Sequence, residues 1–250
     1  MKISACLITL NAERVLGRCL ASVVSVADEI VVVDCGSVDR TCRIAEGFGA
    51  RVAPHPWEGY VRQKNFAVSL ASHEWILSID ADEELSPELI REIFALKQMS
   101  FKADGFFMPR VVYFQNRWIR FGDWHPDFLI RLFKKNKARF VGGAVHERLE
   151  LAGTASHLRG EIFHYTYANR EDHLQRMEKY SSLWAENACR EGRRCAVWTP
   201  WLCAGWRLFR GFILKKGWKG GALGWQIARD CAYEVFLKYQ KLRQLRRVNK

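Results

Sequence analysis

The chain has 250 residues, 49% of them hydrophobic and 13% aromatic, enough for one large α/β domain or a domain with a substantial appendage. That composition excludes a disordered chain, and eight scattered cysteines with no C-x-x-C pair or zinc-finger spacing fit reduced thiols in a cytoplasm rather than a zinc module. The formal net charge is +12, of which +10 falls in residues 201–250, where twelve Lys or Arg stand against Asp230 and Glu234; the asymmetry points to an anionic partner for the tail.

The opening MKISACLITLNAER reads as a strand over Ile3 to Thr9 rather than a signal peptide. Its apolar run is short, Glu13 and Arg14 end it, and no small-residue cleavage site follows. Ala12 to Ser25 has helical spacing. Glu29 to Asp34 is a continuous β-branched run, as a strand buried on both faces requires. Gly36 then allows a tight turn, and Ser37 or Asp39 can cap a helix running to Phe48. A short strand at Arg51 to Pro54 and a helix at Tyr60 to Ala71 follow. The apolar run Trp75, Ile76, Leu77 and Ile79 completes a β-α-β-α-β-α-β order over roughly the first hundred residues, the mark of a doubly wound sheet.

That last strand runs into Asp80, Asp82, Glu83 and Glu84. Ligands of open α/β sheets bind at the carboxyl edge, and carboxylates at i and i+2 repel unless a cation or ligand offsets them. A charged turn before the helix that Ser86-Pro87-Glu88 begins accounts for Glu83 and Glu84, but not for Asp80 and Asp82. Asn11, Asp34 and Asp80 thus stand after three strands on one rim, with Lys64 available for phosphate. Neither G-x-x-x-x-G-K-[ST] nor G-x-G-x-x-G occurs, which argues against a P-loop enzyme or a typical dinucleotide dehydrogenase.

From Asp104 short strand-like pieces, FFMPRVVYF, RWIRFG, FLIRLFKK and ARFVG, read as antiparallel additions. A last strand is expected at Glu161 to Tyr167. A helix is expected over Asn169 to Arg190, with Leu174, Met177, Tyr180 or Ser181, and Trp184 on one face. The tail holds two more helices, Trp201 to Lys216 and Ala222 to Val248, the second with a stripe of Trp225, Ala228, Ala232, Val235, Tyr239 and Leu242. No uncharged apolar run reaches the ~18 residues that span a bilayer, because Arg207 and Arg210 interrupt the best one. The expected segments are 1–103, 104–168 and 169–250.

The blocks ISACLITLNAE, VVVDCGSVDRT, RQKNFAVSLASHEWILSIDADEEL, WHPDFLIRLFKK and GGAVHERL resemble, in order and spacing, the family 2 inverting glycosyltransferases, and within them the branch of lipopolysaccharide-core β-1,4-glucosyltransferases. The resemblance covers most of the chain and implies a GT-A fold, a UDP-sugar donor such as UDP-glucose, and Mg²⁺ or Mn²⁺. It maps the donor base to Thr9, Asn11 and Asp34, and ribose or phosphate to Asp80. Gln63, Lys64 and Asn65 lie alongside the donor. The metal maps to Asp82, with His146 as a further ligand.

An inverting transfer also needs a general base for the acceptor hydroxyl. Asp127 of GDWHPD is the candidate, against its reading as a turn aspartate after Pro126. Asp123 is the runner-up, and His146 and Glu147 follow. Arg131 either meets the diphosphate or is a solvated strand position. The tail, rich in Lys and Arg and carrying Trp198, Trp201, Trp206, Trp218 and Trp225, fits an interfacial amphipathic surface on an anionic membrane better than a pair of ordinary packed helices, with Arg243, Arg246 and Arg247 among its cations. The expected protein is therefore a cytoplasmic enzyme, peripheral on the inner face of the cell membrane, acting on lipopolysaccharide core or another glycolipid, with no nucleic-acid partner. The alternatives are a sugar nucleotidyltransferase, an inactive sugar-nucleotide binder, a transferase with a peptide or other acceptor, and a basic nucleic-acid-binding module. LITLNAERVL lacks the glycines of a nucleotidyltransferase, Asp80 and Asp82 argue against an inactive binder, and no nucleic-acid motif is present.

Overall fold

The chain begins with β1 (Ile3–Thr9), α1 (Leu16–Val23), β2 (Glu29–Asp34), α2 (Thr41–Gly47) and β3 (Arg51–Pro54), then α3 (Tyr60–Leu70), β4 (Trp75–Ser78), β5 (Glu83–Leu85) and α4 (Pro87–Gln98). In the computed structural model, which describes residues 1–142, 147–167 and 169–248, the strands β3, β2, β1 and β4 lie side by side and all parallel. Alternate strand residues point to opposite faces. Leu7, Val32 and Leu77 pack with Leu20, Leu89 and Ile93 of α1 and α4. Cys6, Val31, Val33 and Ile76 pack with Ala67 and Val68 of α3. Burial on both faces is why these strands read as unbroken apolar runs.

Helix α1 starts four residues later than its spacing predicts. Ala12 N donates to Thr41 Oγ1 at 2.7 Å and Glu13 N to Asp39 Oδ2 at 3.2 Å, so tertiary bonds hold the would-be first turn as a loop. Helix α2 follows Arg40, with Thr41 N donating to Asp39 Oδ1 at 2.9 Å. Helix α4 has the expected start, with Ser86 Oγ accepting from Leu89 N at 3.2 Å.

Two corrections concern strands. Glu83 and Glu84 are not turn acids before a helix but part of β5, which pairs antiparallel with β12 (Ile162–His164), Glu83 opposite His164. The latter strand is shorter than the predicted Glu161 to Tyr167.

Between them run β6 (Gly105–Phe114), β7 (Arg117–Ile119), β8 (Asp127–Lys134), β9 (Ala138–Gly142), β10 (Glu147–Leu151) and β11 (Ala155–His157). Strand β8 joins the sheet antiparallel to β4 and to β6, as the short strands predict, and β9 and β10 make a separate antiparallel pair. β11 departs from the pattern by pairing parallel with β6. The whole is the expected α/β class: a parallel block with an antiparallel extension and C-terminal helices.

The chain divides into two units, Met1–Arg110 with Asp127–His164, and Val111–Pro126 with Tyr165–Lys250. Residues 104–168, expected as one segment, are therefore shared between them. The second unit holds α5 (Arg170–Arg190), α6 (Thr199–Phe209) and α7 (Gly221–Val248), with a π-helical turn at Arg210–Leu214. Asn169 caps α5 by accepting from Asp172 N at 2.9 Å. The buried face of α5 carries His173, Met177, Ser181, Ala185 and Ala188, one position round from the predicted stripe, while Leu174 and Tyr180 face outward. Phe114, Trp124, Tyr167 and His173 form an edge-to-face cluster in this unit, with Phe114 and Trp124 centroids 5.4 Å apart and Tyr167 and His173 4.7 Å apart.

Candidate active site

After β4 the chain turns back on itself. Asp80 N donates to Glu83 Oε2 at 3.0 Å, and Glu83 N to Asp80 O at 3.0 Å. Asp80 is gripped by two cations, Lys64 Nζ at 3.0 Å from Oδ1 and Arg131 Nη2 at 2.6 Å from Oδ2. Burial alone would raise its pKa; Arg131 and Lys64 overcome that and hold the carboxyl well below the usual range. The same guanidinium nitrogen lies 2.6 Å from Glu83 Oε1, which also accepts from Arg110 Nη1 at 3.3 Å. Arg110 in turn donates to Asp127 Oδ2 through Nη2 at 2.7 Å and Nε at 3.0 Å. At the other end Lys64 Nζ lies 3.1 Å from Glu147 Oε1.

The result is a ladder of seven alternating charges: Glu147, Lys64, Asp80, Arg131, Glu83, Arg110 and Asp127. Arg110 sits opposite Asp127 in the β6–β8 register, and Arg131 is the extra residue where that register shifts, between Ile130 opposite Phe107 and Leu132 opposite Phe106. An unpaired ion in such a place would carry a desolvation penalty of several kcal/mol, so each member depends on its neighbours. Arg131 is buried, and the reading of it as a solvated strand position is overturned. Asp127 is the exception: its side chain is 39% exposed, and Oδ1 has no hydrogen-bond partner among the described residues.

Thr9, Asn11 and Asp34 also come together. Thr9 Oγ1 donates to Asp34 Oδ1 at 2.9 Å, and Ser37 Oγ to the same oxygen at 2.6 Å. Asp34 Oδ2 accepts from Gly36 N at 2.9 Å and Ser37 N at 2.7 Å. Burial pushes the Asp34 carboxyl up, but these bonds outweigh it and hold it below the usual range. Asn11 has a left-handed φ of 50° and clasps the same loop, its N donating to Ser37 Oγ at 2.8 Å and its Oδ1 accepting from Val38 N at 2.9 Å. Gln63 is fully buried, with Nε2 2.9 Å from Cys35 Sγ and Oε1 2.6 Å from His55 Nδ1. Both ends of the Asn65 amide bind the Phe140 backbone, at 2.9 and 3.0 Å, and clip α3 to β9.

Asp82 Oδ2 lies 3.4 Å from His164 Nε2. Burial would raise the Asp82 pKa, but His164 outweighs it and lowers the carboxyl below its ordinary value. His146, the expected further ligand, lies outside the described residues. Among the described residues no cluster of three His, Cys, Asp or Glu forms a ready cation site. A carboxylate and an imidazole nitrogen at this separation nonetheless suit a divalent cation that takes its other ligands from phosphate and water.

Asp123, the runner-up base, is withdrawn. Its side chain is 1% exposed, with Arg207 Nε and Arg210 Nη1 each 2.9 Å away and Lys215 Nζ at 4.0 Å. A side chain at Gly211 would come within 2.7 Å of Asp123 Oδ2. Sequence reasoning missed Glu83, Arg110 and His164 as partners in the site. The signal available for Arg110 was a lone charge inside FFMPRVVYF, where an arginine has to be paired.

The profile of glycosyl transferase family 2 matches residues 4–156. A protein of Rickettsia felis named as an uncharacterized glycosyltransferase is 33% identical over 262 residues, spanning 97% of this chain and 90% of its own. The lipopolysaccharide core biosynthesis glycosyltransferase LpsC of Rhizobium meliloti is 30% identical over 261 residues, spanning 98% of this chain and 93% of LpsC. Among solved structures, TarS 1–349 of S. aureus aligns with a TM-score of 0.48 and 14% identity, over 100% of this chain and 92% of that one.

Proposed function

The chain belongs to glycosyl transferase family 2 and is a glycosyltransferase, and from that premise we propose that it moves a hexose, with inversion, from UDP-glucose to a saccharide of lipopolysaccharide core. The relationship to LpsC, nearly end to end in both chains, supports that acceptor class. The observation that carries the donor reading is Asp80 held between Lys64 and Arg131 at the carboxyl end of β4. Two cations fixed beside a strand end suit a diphosphate, and the carboxylate between them suits a ribose hydroxyl.

In this reading Thr9, Asn11, Asp34 and Gln63 form the wall against the base. Asn65 keeps β9 in place beside the Lys64 side chain. Asp127 Oδ1 takes the proton of the acceptor hydroxyl as its oxygen attacks the anomeric carbon and the bond to the diphosphate oxygen breaks. Arg110 holds Oδ2 and so fixes which oxygen faces the acceptor. Asp82 and His164, with His146 from the segment outside the described residues, would hold Mg²⁺ or Mn²⁺. When bound, such an ion offsets charge on the leaving diphosphate. The acceptor's lipid makes an anionic membrane surface, at the inner face of the cell membrane, the partner of residues 201–250.

A panel of nucleotide sugars, scored for thermal stabilisation and for release of the nucleoside diphosphate with and without EDTA, tests this reading. UDP-glucose is expected to stabilise the protein and to be turned over only with metal. Stabilisation by no nucleotide sugar, or full turnover in EDTA, overturns the donor or the metal assignment respectively.

A further inference from the structure

The membrane reading above, on which this inference rests, assigns the surface to residues 201–250 as a whole from their charge and tryptophans, without saying which helix bears it. The structure gives α7 a different task. Leu223, Ile227, Ala228, Cys231, Ala232 and Leu242 of α7 are buried within the second unit. The cations near its end are also engaged: Lys241 Nζ is 2.6 Å from Glu178 Oε1, and Arg243 Nη1 donates to Val197 O at 3.3 Å. The stripe that sequence offers for a bilayer is a packing stripe.

Helix α6 does the opposite. Pro200 is its one buried residue. Trp198, Trp201, Leu202, Trp206, Phe209 and Ile213 are 65, 69, 65, 59, 48 and 47% exposed. At 3.6 residues per turn these positions fall within an arc of about 140°, an apolar face that stands largely in solvent, with the Trp201 and Phe236 ring centroids 4.6 Å apart where it meets α7. The surroundings carry charge of one sign. Residues 192–229 hold eight Lys or Arg and no acid. Arg207, Arg210 and Lys215 converge on the single carboxylate of Asp123, which leaves two positive charges uncompensated beside the stripe. Both arginines also line an open groove of about 540 Å³ with Leu202, Cys203, Trp206, Val235 and Tyr239.

We propose that the exposed face of α6 and the turn after it lies flat in the interface of an anionic bilayer, with lipid phosphates at Arg207, Arg210 and Lys215. Among the described residues no helix is long and apolar enough to cross a membrane, so the contact is in-plane. Indole rings suit the boundary between acyl chains and headgroups. The positive rim is what distinguishes this occupant from a second copy, which would bring an equally positive rim against it. The Asp123 clamp is the device that holds α6 with its rings outward. Gly211 leaves room for that clamp.

The experiment is flotation of the full chain with vesicles of equimolar phosphatidylethanolamine and phosphatidylglycerol, against pure phosphatidylcholine, at low and high salt. Binding is expected only to the anionic vesicles, weaker in high salt, with a salt-resistant remainder from the buried rings. The double variant W201S/W206S should lower the partition coefficient at least tenfold. The triple variant R243Q/R246Q/R247Q should lower it less than threefold. Trp201 and Trp206 are exposed whereas Arg243 and Arg246 are half-buried, so a thermal melt on each sample checks that the fold is kept. Unchanged flotation of the double variant overturns the proposal. So does a wild-type chain that ignores the vesicles and forms dimers by light scattering that W201S/W206S separates, since a second copy then covers the face. Release of nucleoside diphosphate, read on the same samples, reports on the enzyme reading separately. Loss of flotation with release intact supports the surface assignment, whereas flotation intact with no release from any nucleotide sugar overturns the donor reading and leaves the surface supported.

Discussion

At the carboxyl end of β4, Glu83 and Arg131 are 1% and 5% exposed, while on α6 the rings of Trp201 and Trp206 stand 69% and 59% in solvent. Each region inverts the ordinary partition of charge outside and apolar surface inside. In the first, charges are taken out of water at considerable cost and survive because every buried one has an opposite neighbour within 3.3 Å. In the second, most of the apolar area of the rings is left in solvent. Every buried charge of the ladder has an opposite partner within the chain, whereas the rings of α6 keep about half or more of their area in solvent. That contrast separates what positions chemistry from what positions the enzyme.

The comparison breaks most visibly at Glu83. Glu83→Ala removes the carboxylate that Arg131 and Arg110 share, leaving each with one partner, Asp80 and Asp127, and should cost ~1–3 kcal/mol in urea unfolding. Trp201→Ala, an exposed control, should stay within ~0.5 kcal/mol of wild type. Equal effects of the two would remove the distinction between a satisfied interior and an unpartnered exterior.

A smaller effect in energy, though larger in function, is expected at the open end of the ladder. Asp127→Asn keeps the shape, and Arg110 can still reach the amide oxygen. Initial rates at saturating donor should fall ~10²-fold or more, with the melting temperature nearly unchanged. Normal turnover in this variant would move the base elsewhere.

The smallest effect is the one read by acid. Burial pushes the Glu29 carboxyl up, but bonds from Ser4, Ser72 and Arg51 outweigh it and hold the pKa down at about 2. Asp34 and Asp80 are depressed as well. A depressed carboxylate contributes stability that is fully present above its unfolded pKa and is lost as pH falls through its folded one. Unfolding free energy should therefore be level above about 5 and fall steadily between 4.5 and 2. A flat profile across that window would mean these carboxylates are not held as described.

The parallel core was legible in the chain because strands buried on both faces leave unbroken apolar runs, and β1, β2 and β4 sit where those runs lie. Asp80 and Asp82 were legible because nothing local explains two acids after such a strand. The rest of the ladder was not. Arg110 and Arg131 meet Glu83 only through the β6–β8 and β4–β8 registers, which depend on pairing across tens of residues. Glu83 was obscured by Ser86-Pro87-Glu88, a strong helix start that made it look like a turn acid. In the tail, composition signalled a surface but not which helix bears it. An amphipathic stripe reads the same whether α5 and α6 or a bilayer covers it, and only the packing shows that the α7 stripe is buried while the α6 rings stand largely exposed.

The donor site proposed at the carboxyl end of β4 is tested most directly by calorimetric titration of UDP-glucose into wild type and Asp82→Asn, each with Mn²⁺ and with EDTA. Asp82 is a third exposed, so its substitution should leave the fold intact. Mn²⁺ should tighten donor binding to wild type by ~10-fold or more, about 1.4 kcal/mol, and Asp82→Asn should abolish that gain while matching wild type in EDTA. A variant that keeps the full Mn²⁺ gain, or a wild type that binds the donor no better with Mn²⁺ than without, would contradict it.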